Sequence, residues 1–317
     1  MRIGVVIPCY KVTSHVLKVI EAIGSEVHMI YAVDDGCPDG SGHFIKERCN
    51  DPRVRVIFHS ENQGVGAAVV TGYREALTDN MDILIKVDGD GQMNPALIPH
   101  FVRPIQKRKA DYTKGNRFYR PESLKSMPII RLVGNAGLSF INKLSTGYWS
   151  IVDPTNGYTA IHTAVLRELP LHKLERRYFF ESDMLYHLNI VRAVVRDVPM
   201  DAVYADEQSN LKISRVLPEF FLKHAKRFVK RYMYIYIIRD FNVGSIYSLF
   251  GTVLCAIGIF FGAGHWLRSV ETGAAATSGT VMLAALPLLV GIQLLIAFLH
   301  HDVSSIPVDP LAPDLID

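Results

Sequence analysis

Two stretches in the C-terminal part of the chain, Val243 to Trp266 and Thr280 to Leu299, contain no Asp, Glu, Lys or Arg. Each runs to about 20 residues or more, enough to cross a hydrocarbon core of about 30 Å as a helix. Pro287 lies inside the second run and His300-His301-Asp302 stop it, while the short loop between the runs holds Arg268 and Glu271. Two such runs on a short loop read as a transmembrane hairpin, because a helix satisfies its own backbone hydrogen bonds in lipid.

Orientation follows from the flanks. Lys223, Lys226, Arg227, Lys230, Arg231 and Arg239 precede the first run, and the connecting loop has one arginine. The positive-inside rule puts the basic flank in the cytoplasm, and a hairpin returns residues 302–317 to the same side. That tail carries prolines and acids and is expected to be poorly ordered. Within 213–241, Phe221, Ala225, Phe228, Val229, Tyr232, Met233, Tyr236 and Ile237 recur at helical spacing with lysines and arginines opposite. Two compatible readings stand: a helix in the headgroup plane of an anionic membrane, or an amphipathic helix packed on its own domain.

Residues 1–212 have the composition of a cytoplasmic globular domain, 213–241 form the juxtamembrane helix, 242–301 the two spans and 302–317 the tail. The formal net charge of +3 over 317 residues gives no reason to expect a nucleic-acid partner. Cys9, Cys37, Cys49 and Cys255 lack zinc or redox spacing and read as free thiols of a reducing compartment. The apolar run before Pro8 is too short for a signal peptide and suits a first strand.

Apolar runs at Ile3–Ile7, Met29–Val33, Val54–Phe58 and Ile83–Val87 alternate with helix-like segments at Val16–Ala22, Gly42–Arg48 and Gly66–Leu77. This predicts an α/β domain with a mostly parallel sheet and helices on both faces. Such sheets bind ligands beyond the carboxyl ends of their strands. Polar residues collect at those ends: Pro8 and Tyr10, then Asp34-Asp35-Gly36, then Asp88-Gly89-Asp90-Gly91-Gln92. Asp88, Asp90 and Gln92 put hard oxygens at alternate positions, which suits Mg²⁺ or Mn²⁺ completed by water and a substrate phosphate. An ordinary polar turn is the competing reading of that motif taken alone.

Gly64-Val65-Gly66 lacks the third glycine and the position of a dinucleotide fingerprint, and there is no P-loop, nucleophile elbow or H-E-x-x-H motif. Gly115-Asn116-Arg117 ends another strand-like run, with Arg120 beyond it. Arg131 opens a helix-like stretch, with Asn135 one turn on. Arginines near a metal–phosphate site make bidentate clamps for phosphate oxygens. Asp153 to Tyr158 reads as a turn before a strand at Tyr158–His162. Glu181 and Asp183 lie in the first turn of a helix starting near Phe179, where they either complement the helix dipole or line the pocket.

Assembled, these residues resemble the family 2 glycosyltransferases, and among them the polyprenyl-phosphate sugar synthases. The resemblance spans the cytoplasmic domain and rests on Val6-Ile7-Pro8-Cys9-Tyr10, Val33-Asp34-Asp35-Gly36, Asn62-Gln63-Gly64, Asp88-Gly89-Asp90-Gly91-Gln92 and Gly115-Asn116-Arg117. It implies a GT-A fold and metal-dependent, inverting transfer from a UDP- or GDP-linked sugar to a polyprenyl phosphate. By motif it assigns Pro8, Tyr10, Asp34 and Asp35 to the nucleotide. Asp88, Asp90 and Gln92 go to metal and diphosphate, and Arg117 and Arg131, with Asn135 nearby, to the acceptor phosphate. Asp183 stands where the family has an acid before methionine. The chain departs from its relatives at Lys11-Val12-Thr13, where they carry an acid. It departs again at Asp206 to Lys212, which keeps only the lysine of their arginine and Gly-x-Ser-Lys ending. Membrane lipid is an expected partner, and a homo-oligomer is compatible with the hairpin. The alternatives are transfer to a glycan or glycerolipid acceptor, and a non-catalytic membrane-anchored scaffold of the same fold.

Overall fold

The computed structural model describes residues 1–119, 129–201 and 213–316. Arg120 and the stretch Asp206 to Lys212 fall outside the described residues. Two compact units are present: Met1–Phe228 together with Pro307–Asp317, and Val229–Ile306.

The described residues of the first unit form seven strands: β1 (Ile3–Cys9), β2 (Met29–Asp34), β3 (Val54–Phe58), β4 (Ile83–Lys86), β5 (Tyr112–Asn116), β6 (Thr159–His162) and β7 (Val195–Pro199). They lie in the order β3-β2-β1-β4-β6-β5-β7. Only β6 runs against its neighbours, pairing antiparallel with both β4 and β5. The remaining pairs are parallel, as the strand–helix alternation requires. β1 continues two residues past its apolar run because Pro8 and Cys9 stay in register with Val33 and Asp34 of β2.

The helices of this unit are α1 (Val16–Glu21), α2 (Ser41–Arg48), α3 (Val65–Thr78), α4 (Ile98–Gln106), α5 (Ile129–Thr146), α6 (Thr163–Glu168), α7 (Phe180–Ile190), α8 (Ile213–Tyr232) and α11 (Ala312–Ile316), with the last turn of α8 passing into the second unit. Alternation along β1 serves two faces. Val5 and Ile7 join a core with Val16 and Ile20 of α1 and Phe101 of α4. Val6 faces the other way, where α3 comes so close that only Gly72, with no Cβ, fits against it.

In the second unit, a π-helical segment, Met233–Arg239, leads to α9 (Val243–Thr272) and α10 (Ser278–Ser304). At 30 and 27 residues both helices are long and apolar enough to cross a membrane. Asn242 caps α9, accepting from Gly244 N at 2.8 Å, while Ser245 Oγ accepts from Asn242 N at 3.1 Å. The helices pack antiparallel through small residues: Gly251 lies against Leu295 and Gly291, and Gly258 against Ala284 and Leu288. The polar end of the hairpin is closed by Asp302, whose carboxylate receives Arg231 Nη1 at 2.7 Å, Arg231 Nη2 at 3.0 Å and Tyr236 Oη at 2.6 Å. This bidentate pair is buried and fully directional, and breaking either side leaves a buried charge.

The tail departs from the expected disorder. Leu311 N and Ala312 N each donate to the Asp111 carboxylate at 2.8 Å, and Val194 N donates to it at 2.7 Å. Asp111 is fully buried, and the Val194 and Ala312 donors beside it are buried too, so those two have no water to fall back on. We predict that Asp111→Ala costs about 3 kcal/mol, read by denaturant titration, because it strands the buried N–H groups of Val194 and Ala312 and releases that of Leu311. Limited proteolysis of that variant should cut between residues 304 and 312 well before the parent is cut there.

Candidate active site

The carboxyl ends of β1, β2, β4 and β5 and the entry to β6 share one edge of the sheet. On the β1–β2 side, Pro8 is half-buried and Tyr10 is exposed. Asp34 and Asp35 lie beneath that rim, almost fully buried. Asp34 Oδ1 accepts from Cys37 N at 2.7 Å and Oδ2 from Gly42 N at 2.5 Å, holding the turn into α2. Asp35 Oδ1 accepts from Gln63 N at 2.9 Å and sits 2.8 Å from His59 Nδ1, while Oδ2 accepts from Gly64 N at 2.8 Å. The two acids therefore organise the loops after β2 and β3. Gly36, at φ +58, permits this, since a Cβ there would lie 2.5 Å from the backbone of Glu61.

At the end of β4, Asp88, Asp90 and Gln92 occupy one turn and are each partly exposed. Asp90 Oδ1 accepts from Gln92 N at 2.9 Å, which fixes the turn. Lys86, one of the largest fully buried side chains, places Nζ 2.8 Å from Asp88 Oδ1 and 3.2 Å from Glu181 Oε1. Burial pushes the ammonium toward the neutral form, and the carboxylates of Asp88 and Glu181 outweigh it, holding the Lys86 pKa above its ordinary value. Gly157, at the entry to β6, lies against this group. A Cβ there would collide with Lys86 Nζ and come within 2.8 Å of Asp88 Oδ2.

On the β5 side, Arg117 Nε meets Asp153 Oδ2 at 2.7 Å and Nη2 meets Oδ1 at 3.0 Å, a two-point pairing with a wholly buried carboxylate. The guanidinium is thus held in one orientation, one-third exposed at the sheet edge. Asn135 is half-buried on α5. Arg131 lies in the first turn of the same helix, and its side chain is outside the described residues. Asp183 is placed elsewhere than the edge: it has no exposure, accepts from Glu175 N at 2.9 Å and lies 2.6 Å from Arg227 Nε of α8. Burial raises its pKa to about 6 against the opposing pull of Arg227. The acid of this turn that reaches the β4 end is Glu181.

Magnesium and manganese sites commonly use one or two carboxylates and leave the rest of the octahedron to water and substrate phosphate. Asp88 and Asp90, partly exposed and backed by a buried cation, fit that pattern. Among the described residues no cluster of three His, Cys, Asp or Glu side chains forms a closed protein cage.

Residues 4–170 match the model of Glycosyl transferase family 2. The chain belongs to that family. It is 30% identical over 218 residues to the UDP-N-acetylglucosamine–dolichyl-phosphate N-acetylglucosaminyltransferase of Methanococcus voltae, covering 64% of this chain and 86% of that protein. It is 27% identical over 207 residues to the undecaprenyl-phosphate mannosyltransferase of Micrococcus luteus, covering 64% and 84%. Among solved structures, glucosyl-3-phosphoglycerate synthase from Mycobacterium tuberculosis, in complex with Mn²⁺, uridine diphosphate and glucosyl-3-phosphoglycerate, superposes with a TM-score of 0.51 at 19% identity. That match covers 73% of this chain and 79% of the synthase, and it supports the GT-A fold. The protein is a family 2 glycosyltransferase.

Three parts of this transferase's edge, Lys86, Asp153 and Gly157, escape motif reading, and so does Arg227, the partner of Asp183 away from the edge. Lys86 had a signal, being a lone cation inside the apolar run Ile83–Val87. Asp153 and Arg227 had none, because their partners lie far off in sequence. A second buried lysine, Lys114 of β5, donates to the carbonyl of Asn156. Burial lowers its pKa to about 8 from an ordinary 10.5, against the opposing carboxylates Glu181 and Asp153. Between those values the unfolded chain binds a proton that the folded transferase has released, so this group makes stability rise with pH across that window. We predict that from about pH 7 to about pH 9.5 the parent gains about 2 kcal/mol relative to Lys114→Met. Denaturant midpoints of the two proteins at both pH values check this.

Proposed function

We propose that this glycosyltransferase moves a sugar from a nucleotide-diphosphate sugar to a polyprenyl phosphate at the cytoplasmic face of a membrane. The observation that carries the reading is the partly exposed Asp88–Asp90–Gln92 turn at the end of β4, braced from behind by Lys86 and flanked by the fixed guanidinium of Arg117. Pro8 and Tyr10 form the rim for the nucleotide, with Asp34 and Asp35 shaping its loops. Asp88, Asp90 and Gln92 would hold Mg²⁺ or Mn²⁺, which supplies neutralisation of charge on the departing diphosphate. Arg117 and Arg131, with Asn135, hold the acceptor phosphate. One of its oxygens attacks the anomeric carbon as the bond to the donor's β-phosphate oxygen breaks. The electron pair leaves with the nucleoside diphosphate, and the anomeric configuration inverts. The acceptor is already ionised near neutral pH, so the reaction requires no strong general base, in keeping with a site edged by arginines. Fixed donors aimed at developing charge are the main catalytic resource of such a site.

Membrane placement draws on the two apolar helices, the basic residues before them and the membership of residues 307–316 in the same compact unit as residues 1–228. Chain segments on both sides of the hairpin belong to one folded body, so two spans that return the chain to its starting side are the economical topology. The positive-inside rule then makes that side cytoplasmic. Holding enzyme and lipid at one surface raises their effective concentration.

The test incubates detergent-purified protein with Mg²⁺ or Mn²⁺, undecaprenyl phosphate and a panel of UDP- and GDP-sugars, with mass spectrometry of the lipid fraction. A lipid-phosphate sugar is expected, lost on chelation. Asp90→Ala should lower turnover by about 100-fold or more with an unchanged circular dichroism spectrum. Full activity in that variant would refute the metal-site assignment, and product on a glycan or glycerolipid alone would replace the acceptor.

A further inference from the structure

Within the Met1–Phe228 unit, a cavity of about 430 Å³ opens between the loop after β3, the loop before α7 and the first half of α8. Asn62 and Gln63 line one wall, Lys173, Arg176 and Arg177 a second, and Lys223 a third. Its volume lies in the range of ligand-holding clefts. The two arginines are well placed as anion ligands. Their loop is anchored by Ala67 N donating to Arg176 O at 3.2 Å and by Phe180 N donating to Arg177 O at 3.0 Å. Neither guanidinium meets a carboxylate among the described residues. Among the described residues the acids lining it are Glu61 and Glu175. Glu175 is occupied by Lys223, whose Nζ lies 2.9 Å from its Oε2 and 3.0 Å from Glu219 Oε1. The excess charge is positive and concentrated on Arg176, Arg177 and Lys173.

Three features narrow the ligand. Among the described residues no aromatic ring lines the cavity, so they offer a nucleobase nothing to stack on. None of Asp88, Asp90 or Arg117 is in its wall, so its occupant is not the phosphate that reacts. And Lys223 sits on α8 beside an uncovered apolar strip: Phe221 and Leu222 are 60% and 69% exposed, Ala225 is exposed, and Lys226 is an exposed cation alongside. The opposite side of the helix is already occupied. Phe220 and His224 pack edge-on against Phe179, and Ser145 Oγ lies 2.7 Å from His224 Nδ1.

We infer that this cavity binds the phosphate headgroup of an anionic bilayer phospholipid, whose acyl chains lie along the Phe221–Leu222–Ala225 strip. This is a lipid site separate from that of the acceptor. It rests on the membrane reading of α9 and α10 and not on the identity of the sugar or acceptor. Guanidinium pairs suit phosphate oxygens, and basic residues beside apolar ones on an interfacial helix select anionic lipid.

The test is native mass spectrometry of the full chain released from detergent and titrated with dioleoylphosphatidylglycerol or dioleoylphosphatidylcholine. The phosphatidylglycerol is expected to bind about tenfold more tightly, and Arg176→Ala with Arg177→Ala to remove that preference at an unchanged melting temperature. Equal binding of the two lipids, or a double variant that keeps the preference, overturns the inference. Displacement of the lipid by equimolar sn-glycerol 3-phosphate would show a soluble phosphate site instead. Loss of undecaprenyl phosphate binding alone would hand the cavity to the acceptor. Sugar transfer is read separately, so a parent that binds phosphatidylglycerol but transfers nothing refutes the proposed reaction and leaves this site standing.

Discussion

A buried lysine between two carboxylates is the pivot of this transferase. Lys86 is the last residue of β4, and its ammonium joins Asp88 on the next turn to Glu181 at the start of α7. Removing a cation from water is costly, and two carboxylates within about 3 Å are what make it tolerable. The same contacts fix where Asp88 points and how closely α7 approaches the sheet. They also require glycine at position 157, where the chain enters β6. One desolvated charge thus sets the relative positions of a central strand, a helix start and the antiparallel strand between them.

A second layer of buried polarity ties α8 to the same body. Asp183 and Arg227 pair across α7 and α8, and Glu175 joins in through its backbone N–H and through Lys223. His224, its pKa lowered to about 4 by burial, is a neutral hydrogen-bonding partner for Ser145. Both readings of the amphipathic helix therefore find a face. One side is committed to the domain, and the Phe221–Leu222–Ala225 side is left uncovered with its lysines. Two distinct apolar faces suit a helix that joins a folded domain to a long apolar hairpin.

Much of this was legible because it depends on local pattern. Alternating apolar runs located β1 to β4, and charge-free length located α9 and α10. What pattern missed depends on partners distant in sequence. Prolines 307, 310 and 313 and the neighbouring acids signal disorder, yet Asp111, two hundred residues away, supplies the acceptor that orders Leu311 and Ala312. Asp183 reads equally as a dipole-complementing acid or a pocket acid until Arg227 is placed beside it. Asp34 and Asp35 read as ligand-facing carboxylates at a strand end, and pattern does not show that they also accept from the backbone N–H groups of Cys37, Gly42, Gln63 and Gly64.

The docked tail also bears on how the protein is made. The body around β1 to β7 is discontinuous in the chain, composed of residues 1–228 and 307–316 with the hairpin between. During synthesis the acceptor oxygens of Asp111 are in place long before Leu311 and Ala312 exist, so the pocket around them stays open until both apolar helices have been translated. The body that carries the sheet is therefore completed only after the apolar hairpin, and an interrupted chain is marked by an unfilled socket rather than by a missing domain.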